Sequence, residues 1–170
     1  MKAGAGLAAD ARQPWRAEPV AADAERVRRI ARATGFFSAT EVEVAVELVE
    51  ERLAKGPASG YELAFAEEGS ELLAYACFGP VPVTVSSWDL YWIVVRPDQQ
   101  GKGLGRAVLA ESERRVREAG GTRVYVDTSS RAQYAPTRAF YRACGYAEVA
   151  RLEDFYAAGD GKVVFCKVLA

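Results

Sequence analysis

The chain has 170 residues, of which 50% are hydrophobic and 26% are charged, and its 22 Lys and Arg nearly balance its 23 Asp and Glu. Such a chain is typical of one soluble domain, which buries about 70% of the surface exposed when it is unfolded. Because the sequence has no histidine, it excludes Ser-His-Asp and Cys-His nucleophiles, HExxH zinc sites and His-ligated metals. The net charge of -1 argues against a nucleic-acid groove, which is normally strongly basic.

Cysteine usage and hydropathy indicate where the protein resides. Cys77, Cys144 and Cys166 are far apart and form no CxxC pair, so we interpret them as reduced thiols. No signal-peptide pattern follows Met1, and no run of about 18 apolar residues occurs. We therefore expect a cytoplasmic protein that inserts into no membrane and binds no metal.

Two helices are predicted in the first third of the chain. Residues 1–13 are small and unpatterned, and we expect a disordered lead before one domain over residues 14–170. Helical spacing ends at Gly35, and a second helix is capped by Ser38 or Thr40. The apolar stripe predicted for the second helix consists of Val42, Ala45, Val46, Val49 and Leu53.

After the second helix, the apolar period becomes that of β-strands. A hairpin is predicted over residues 61–78, and the apolar, β-branched run over residues 88–95 indicates a buried central strand. Interleaved helices and strands predict an α/β fold, a mixed sheet of about seven strands covered on both faces by about four helices. The remaining elements are predicted as a helix over 103–119, a strand over 122–128, a helix over 136–144 and a hairpin over 146–169.

A glycine-rich segment joins the predicted central strand to the third helix. Gly101, Gly103 and Gly105 alternate with other residues there. Such spacing lets the backbone turn with its N–H groups inward, leaves no Cβ in the way of a ligand, and adds the positive end of the helix dipole. The segment predicts an anion cradle, most simply for phosphates, with a tight ligand-free turn as the alternative.

The spacing excludes two other glycine-rich phosphate loops. The third glycine of a GxGxxG dinucleotide fingerprint would fall at Arg106 or Val108. A Walker A loop needs GxxxxGK[ST], but Lys102 has no Ser or Thr beside it. Neither a Rossmann cofactor nor ATP hydrolysis is therefore expected.

Two motifs resemble one protein family. The run Gln100-Gly101-Lys102-Gly103-Leu104-Gly105 is similar to the Q/R-x-x-G-x-G/A motif of the GNAT superfamily of acyl-CoA-dependent N-acetyltransferases, and it likewise follows an apolar strand that ends in Val-Arg-Pro. In the later predicted helix, Tyr141 precedes the Gly145-Tyr146 pair by four residues, as in that family. The resemblance covers about residues 60–169 and implies a single-domain, mostly antiparallel, splayed GNAT-like sheet. The first two helices match only in type and order.

The resemblance implies that acetyl-CoA is the cosubstrate and that no metal is needed. Backbone groups of Ile93 and Val95 would hydrogen-bond the pantetheine arm like an added strand, and the glycine loop would hold the pyrophosphate. Tyr141 would approach the thioester sulfur. The side chains of Lys102 and Arg106 either contact phosphate or are solvated charges. The cofactor-binding residues implied are Ile93, Val95, Gln100, Gly101, Lys102, Gly103, Leu104, Gly105 and Arg106.

One position departs from the family pattern. Seven residues before the helical tyrosine, where the family often has an Asn that contacts the cofactor, this chain has Tyr134. The residue that usually makes this contact is therefore replaced in this chain. Ser129 or Ser130 either supplies a substitute hydroxyl or caps the loop.

The implied reaction requires a neutral amine. A Lys-like amine of pKa about 10.4 is neutral about once in 2,500 molecules at pH 7, a cost of about 4.6 kcal/mol, whereas an α-amine costs about 1 kcal/mol. Without histidine, the base is a carboxylate or a water chain ordered by one. Asp89, eleven residues before Gln100, stands where some family members carry a catalytic Glu and is the first candidate; Asp127 and Glu148 are alternatives. The non-catalytic interpretation of Asp89 is an exposed strand-end carboxylate, a weak base unless burial raises its pKa.

Tyr141 is expected at the edge of an amphipathic helix. Phe140, Ala143 and Cys144 define the predicted buried stripe, which favours a functional Tyr141 over a core aromatic. Its phenol would donate a proton or a hydrogen bond to the sulfur.

Together these features predict an N-acetyltransferase that passes the acetyl group of acetyl-CoA directly to a primary amine of a small molecule, peptide or protein. The acceptor stays open: Phe155-Tyr156 and Gly159-Asp160 loosely resemble the branch that acetylates ribosomal-protein N-termini, and the acidic second helix suits a cationic acceptor or is a solvated face. The alternatives are a non-catalytic acyl-CoA-binding sensor or scaffold and a purely structural domain. The sequence does not determine the oligomeric state, and a homodimer is compatible with a sheet of this size.

Overall fold

The computed structural model describes residues 14–170, and the expected lead over residues 1–13 lies outside them. Within the described range the chain forms seven strands and four α-helices, and none of these helices is long and apolar enough to span a membrane. The strands are β1 (Trp15–Arg16), β2 (Glu62–Glu68), β3 (Glu71–Pro80), β4 (Ser87–Val95), β5 (Arg123–Ser129), β6 (Ala147–Ala157) and β7 (Asp160–Val168). The helices are α1 (Asp23–Ala33), α2 (Ala39–Lys55), α3 (Leu104–Glu118) and α4 (Ala135–Ala143).

The strands form one mixed sheet in the order β1-β2-β3-β4-β5-β7-β6. β4 runs parallel to β5, from Ser87 opposite Arg123 to Asp89 opposite Tyr125, whereas β7 pairs antiparallel with both β5 and β6. This arrangement confirms the predicted α/β fold with its central strand. The sequence did not predict β1, because two residues are too few to show alternation.

The central strand is less buried than its composition predicts. Only Leu90 and Val94 are buried among the nine residues of β4, and the others are half-buried. The run is rich in Trp and Tyr, which are often partly exposed because of their size and their polar tips. An apolar run therefore predicted the strand correctly but overstated how completely it is covered.

Residues 14–77 and 92–112 form one compact unit, in which α1 is tied to the first two strands by a buried charge. The carboxylate of Asp23 is fully buried. It accepts hydrogen bonds from Arg16 at 2.7 and 2.9 Å, from the backbone N–H of Val20 at 2.7 Å and from Arg26 at 3.2 Å. Arg16 also pairs with Glu67 of β2 at 2.7 Å. The buried carboxylate is thus compensated by two cations and a backbone donor, which is what its desolvation requires.

Helix α2 begins as predicted, but its buried stripe ends differently. Val42, Ala45, Val46 and Val49 are buried, whereas Leu53 is 38% exposed and Arg52 is buried in its place. The Arg52 guanidinium donates to the carbonyl of Tyr61 at 2.8 Å and to Glu18 at 2.8 Å. The prediction of Leu53 as a core residue is therefore wrong, because long-range polar partners draw the neighbouring arginine inward.

The cap of α2 gives a stability prediction. Ser38 Oγ accepts from the N–H of Glu41 at 3.2 Å, and the Glu41 carboxylate accepts from the N–H of Ser38 at 2.7 Å, which is a capping box. We expect Ser38→Ala to lower the free energy of unfolding by about 1 kcal/mol in urea titrations. Thr40→Ala is the matched control, because Thr40 lies inside the helix; an equal loss in both variants would contradict the cap.

Residues 78–91 and 113–170 form a second compact unit. In β7, Val163 and Phe165 are fully buried, and β5 and β6 flank the strand. All eleven residues of β6 are exposed, although Leu152 and Phe155 are apolar. β6 lies at the edge of the sheet beside β7, and its side chains are open to solvent.

Candidate active site

The bend between β4 and α3 has the backbone conformation that its glycines allow. Gly101 and Gly103 have φ angles of 72° and 87°, in the left-handed region where a Cβ is unfavourable. A Cβ placed on Gly101 would meet no protein atom within 4 Å. The space beside this glycine is therefore open to a ligand.

Helix α3 offers N–H groups at this bend. Its first intrahelical hydrogen bond runs from the N–H of Ala107 to the carbonyl of Gly103, at 3.0 Å. The N–H groups of Leu104 and Gly105 precede that bond and have no intrahelical partner. Lys102 and Arg106 are exposed beside them. Unpaired amides at the positive end of a helix dipole form a site suited to an anion.

Gln100 stabilises the bend from within. Its backbone N–H donates to the carbonyl of Pro97 at 3.3 Å, and its side-chain amide donates to the carbonyl of Val95 at 3.1 Å. Both groups are thus used by the protein itself. A cofactor contact by Gln100 or by the carbonyl of Val95 stays a prediction, and it would require these hydrogen bonds to be shared or exchanged.

In the second unit, a group of charged side chains that includes Asp89, Asp127 and Lys162 lies on one face of the sheet. Asp89 lies opposite Tyr125, and Asp127 shares the face of Tyr125 because side chains alternate along β5. Val164 of β7 lies opposite Asp127, so Lys162, two residues away, is also on this face. The Lys162 ammonium forms an ion pair with the Asp127 carboxylate. The face thus combines a paired and an unpaired aspartate.

Asp89 has a raised pKa. Burial is the largest cause and the negative charge of Asp127 is the second, whereas the positive charge of Lys162 acts in the opposite direction. Among residues 14–170, Asp89 has no hydrogen-bond or ion-pair partner. A half-buried, unpaired carboxylate with a raised pKa has the properties of a general base at neutral pH.

The alternative carboxylates are both engaged. Asp127 pairs with Lys162. Glu148 pairs with Arg142 at 2.8 Å and with Arg151 at 3.0 Å. Both of these carboxylates are thus held by cations, whereas Asp89 is not.

Tyr141 is buried rather than at the edge of its helix. It is 3% exposed, and its ring centroid lies 5.7 Å from that of Tyr146 and 5.9 Å from that of Phe165. The predicted stripe is wrong in this respect, because Phe140 is half-buried and Ala143 is exposed. Packing against β7 turns Tyr141 inward. Burial raises the pKa of its phenol, with Cys144 adding a smaller effect, so the hydroxyl keeps its proton.

Asp89 and Tyr141 lie on opposite faces of the sheet. Tyr141 packs on Phe165, which lies opposite Val126, and Val126 points to the other side of β5 from Tyr125 and Asp127. A carboxylate and a phenol on one face could hydrogen-bond each other. Because Asp89 and Tyr141 lie on different faces, they form no such bond.

The serines considered as substitutes for the family's Asn are engaged in structural contacts. Ser129 Oγ donates to Asp160 and accepts from the N–H of Arg131 at 3.1 Å. Ser130 Oγ accepts from the N–H of Gly161 at 2.8 Å. The loop-capping alternative is thus the one that the geometry supports for both residues.

Lys162 is the charged residue that sequence reasoning missed. Its signal was weak: alternation in the last strand places Lys162, Val164 and Cys166 on one face. That pattern could not identify Asp127 as its partner, because the antiparallel register of β5 against β7 is a tertiary property.

Comparison with known proteins agrees with this geometry. Residues 24–146 match the family model described as acetyltransferase (GNAT) family. A GNAT-family protein from Desulfovibrio desulfuricans is 45% identical, with a TM-score of 0.91 over 92% of this chain and 99% of its own. No curated protein matches the chain.

Two more distant structures share the fold. The ribosomal-protein-S18-alanine N-acetyltransferase of Escherichia coli is 20% identical, with a TM-score of 0.71 over 92% of this chain and 94% of its own. The PaiA N-acetyltransferase of Thermoplasma acidophilum, in complex with coenzyme A, is 17% identical, with a TM-score of 0.69 over 92% of this chain and 98% of its own. With the glycine bend in place and most of the chain matched, the protein belongs to the GNAT acetyltransferase family.

Proposed function

We propose that this protein transfers the acetyl group of acetyl-CoA directly to a primary amine of a small molecule, peptide or protein. The observation that carries the proposal is the open glycine bend at the start of α3, where the N–H groups of Leu104 and Gly105 precede the first intrahelical bond. Such a bend suits the pyrophosphate of CoA. The coenzyme A complex of the Thermoplasma acidophilum relative supports the choice of cosubstrate.

In the proposed reaction, the amine nitrogen attacks the thioester carbonyl carbon and forms the C–N bond. Asp89 takes up the proton that the amine loses. As the tetrahedral intermediate collapses, the C–S bond breaks, and Tyr141 donates a hydrogen bond or a proton to the departing sulfur. No covalent enzyme intermediate is required.

The second candidate function is a non-catalytic acyl-CoA sensor. Tyr134 in place of the family's usual Asn favours it, and Tyr134 is largely buried, with the Arg131 guanidinium 5.6 Å from its ring centroid. A sensor needs the glycine bend but no base. The unpaired Asp89 favours the enzyme.

Two measurements test these functions. Acetyl-CoA at one hundred times its Kd should add about 2.7 kcal/mol and raise the Tm by about 5–10 °C. Thiol release should then be measured over polyamines, amino acids, aminoglycosides and peptides. A Tm shift with no thiol release from any amine supports the sensor, and no Tm shift refutes both functions.

A pair of glycine variants locates the cofactor. Gly101 and Gly60 have similar φ angles, 72° and 76°, and a Cβ on either would meet no protein atom within 4 Å. Alanine at each should therefore cost a similar free energy of unfolding, about 1 kcal/mol. Gly101→Ala alone should disturb phosphate hydrogen bonds worth about 1.5–3 kcal/mol, raising the Kd for acetyl-CoA about 10- to 100-fold by calorimetry. Equal affinities in both variants would place the pyrophosphate elsewhere.

A further inference from the structure

On the charged face of β4, β5 and β7, Asp89 and Asp127 both lie near Lys162, and the lysine's ion pair distinguishes the two carboxylates. Asp127 forms an ion pair with Lys162. Asp89 has neither an ion-pair nor a hydrogen-bond partner within the described part of the chain. The negative charge of Asp127 disfavours ionisation of Asp89, and Lys162 acts in the opposite direction.

Lys162 is held in position from two sides. Its ammonium lies 5.0 Å from the centroid of the Phe155 ring while it pairs with Asp127. Its side chain is only 22% exposed. A lysine fixed between a carboxylate and an aromatic ring has little freedom to move across to Asp89.

We propose that Lys162 is a positioning residue for the acceptor-side base: by keeping Asp127 in an ion pair, it leaves Asp89 as the carboxylate that takes up the acceptor's proton. The inference rests on the proposed acetyl transfer and assigns different roles to two aspartates that the sequence could not separate. Asp127 then acts through its charge, which disfavours ionisation of Asp89, and does not itself touch the acceptor.

Other titratable groups on the neighbouring strands belong to the same environment. Tyr125 of β5 lies directly opposite Asp89, and Arg123 and Cys166 act on Tyr125. Tyr156 of β6 is affected by Asp127, Lys162, Asp160 and Tyr134. Both tyrosines have raised pKa values, so they stay neutral at pH 5–8. The groups that carry charge on this face between those pH values are therefore Asp89, Asp127 and Lys162, together with Arg123 of β5 and Asp160 of β7.

Opposite shifts of the Asp89 pKa in two variants test the proposal. Lys162→Met removes the cation that pairs with Asp127 and lowers the pKa of Asp89, so the pKa of Asp89 should rise by about one unit. In Asp127→Asn the lysine is left beside Asp89 with no competing anion, so the pKa of Asp89 should fall by about one unit. Lys162→Arg keeps the charge and should restore the wild-type value. Lys55→Met is the control for overall charge, because Lys55 pairs with Glu51 in α2.

The pKa of Asp89 is measured in the full chain by the carbon-13 shift of its carboxyl group, without any acceptor. The acid limb of the profile of kcat against pH is then measured with one amine throughout, so that the amine's own ionisation is common to all variants. The pH at which kcat falls should be higher in Lys162→Met and lower in Asp127→Asn than in the wild type.

Shifts of the carboxyl pKa in the same direction, or none in either variant, overturn the proposal. So does a carboxyl pKa that moves as expected while the acid limb of kcat stays in place, because a positioned base must affect the rate. If the wild-type protein releases no thiol with any amine, the proposed function fails, and the carboxyl titration alone then decides whether Lys162 separates the two aspartates.

Discussion

Asp89→Asn is expected to lower kcat/KM for a lysine-like acceptor amine by about 100- to 1,000-fold near neutral pH. The substitution keeps the size of the side chain and removes the only described aspartate on the β4–β5 face without a cation partner. A lysine-like amine is protonated in all but about one molecule in 2,500 at pH 7, so it depends on a base. An α-amine acceptor depends on one much less, and its rate should fall by about tenfold or less.

The dependence of kcat on pH should also show that Asp89 acts as the base. Because the pKa of Asp89 is raised by burial and by Asp127, wild-type kcat should fall as the pH drops through that raised value, and Asp89→Asn should lose this limb. A raised folded-state pKa also means that the ionised carboxylate disfavours folding above it. Asp89→Asn should therefore unfold at a higher urea concentration than the wild type at pH 7.

Glu148→Gln is the matched control, because Arg142 and Arg151 hold that carboxylate in ion pairs. It should change kcat/KM by less than about twofold, in keeping with a surface substitution. An equal loss in Glu148→Gln and Asp89→Asn, or no loss in Asp89→Asn with a lysine-like amine, would show that Asp89 is not the base.

Tyr141→Phe should lower kcat by about 100-fold while the KM for acetyl-CoA stays the same. The ring packs against Tyr146 and Phe165 in both forms, so binding and folding should change little. Burial raises the pKa of the phenol, so the hydroxyl stays a donor across the working pH range. The variant should therefore lose rate equally from pH 7 to pH 9, as measured by thiol release.

Tyr146→Phe is the control for the loss of a buried hydroxyl. The Tyr146 hydroxyl is likewise in a buried residue, and its ring lies 5.7 Å from that of Tyr141. Tyr146→Phe should keep kcat within about threefold. Retention of full activity by Tyr141→Phe would mean that the tyrosine is a core residue, as its burial alone suggests.

Local features of the fold were predictable because their causes are local. The glycine bend follows from alternating residues that tolerate positive φ angles, and the start of α2 follows from a capping serine three residues before a glutamate. Ser38 and Thr40 could not be separated by residue type alone. The reciprocal bonds with Glu41 decide for Ser38.

Burial was predicted less well, because it depends on distant partners. Arg52 replaces Leu53 in the core since Glu18 and the Tyr61 carbonyl receive its guanidinium. Tyr141 is buried since Phe165 and Tyr146 pack on it. Helical periodicity identified the apolar side of each helix approximately, but not which residue at its border turns inward.

The sequence by itself determined the fold class, the glycine bend at Gly101 and Gly103, and the resemblance to one acetyltransferase family. Each rests on residues close together in the chain, whose spacing restricts the backbone directly. Only the tertiary structure placed Lys162 against Asp127 and left Asp89 unpaired, because strand register brings these residues to one face. The charge environment of a carboxylate is set by its neighbours in space.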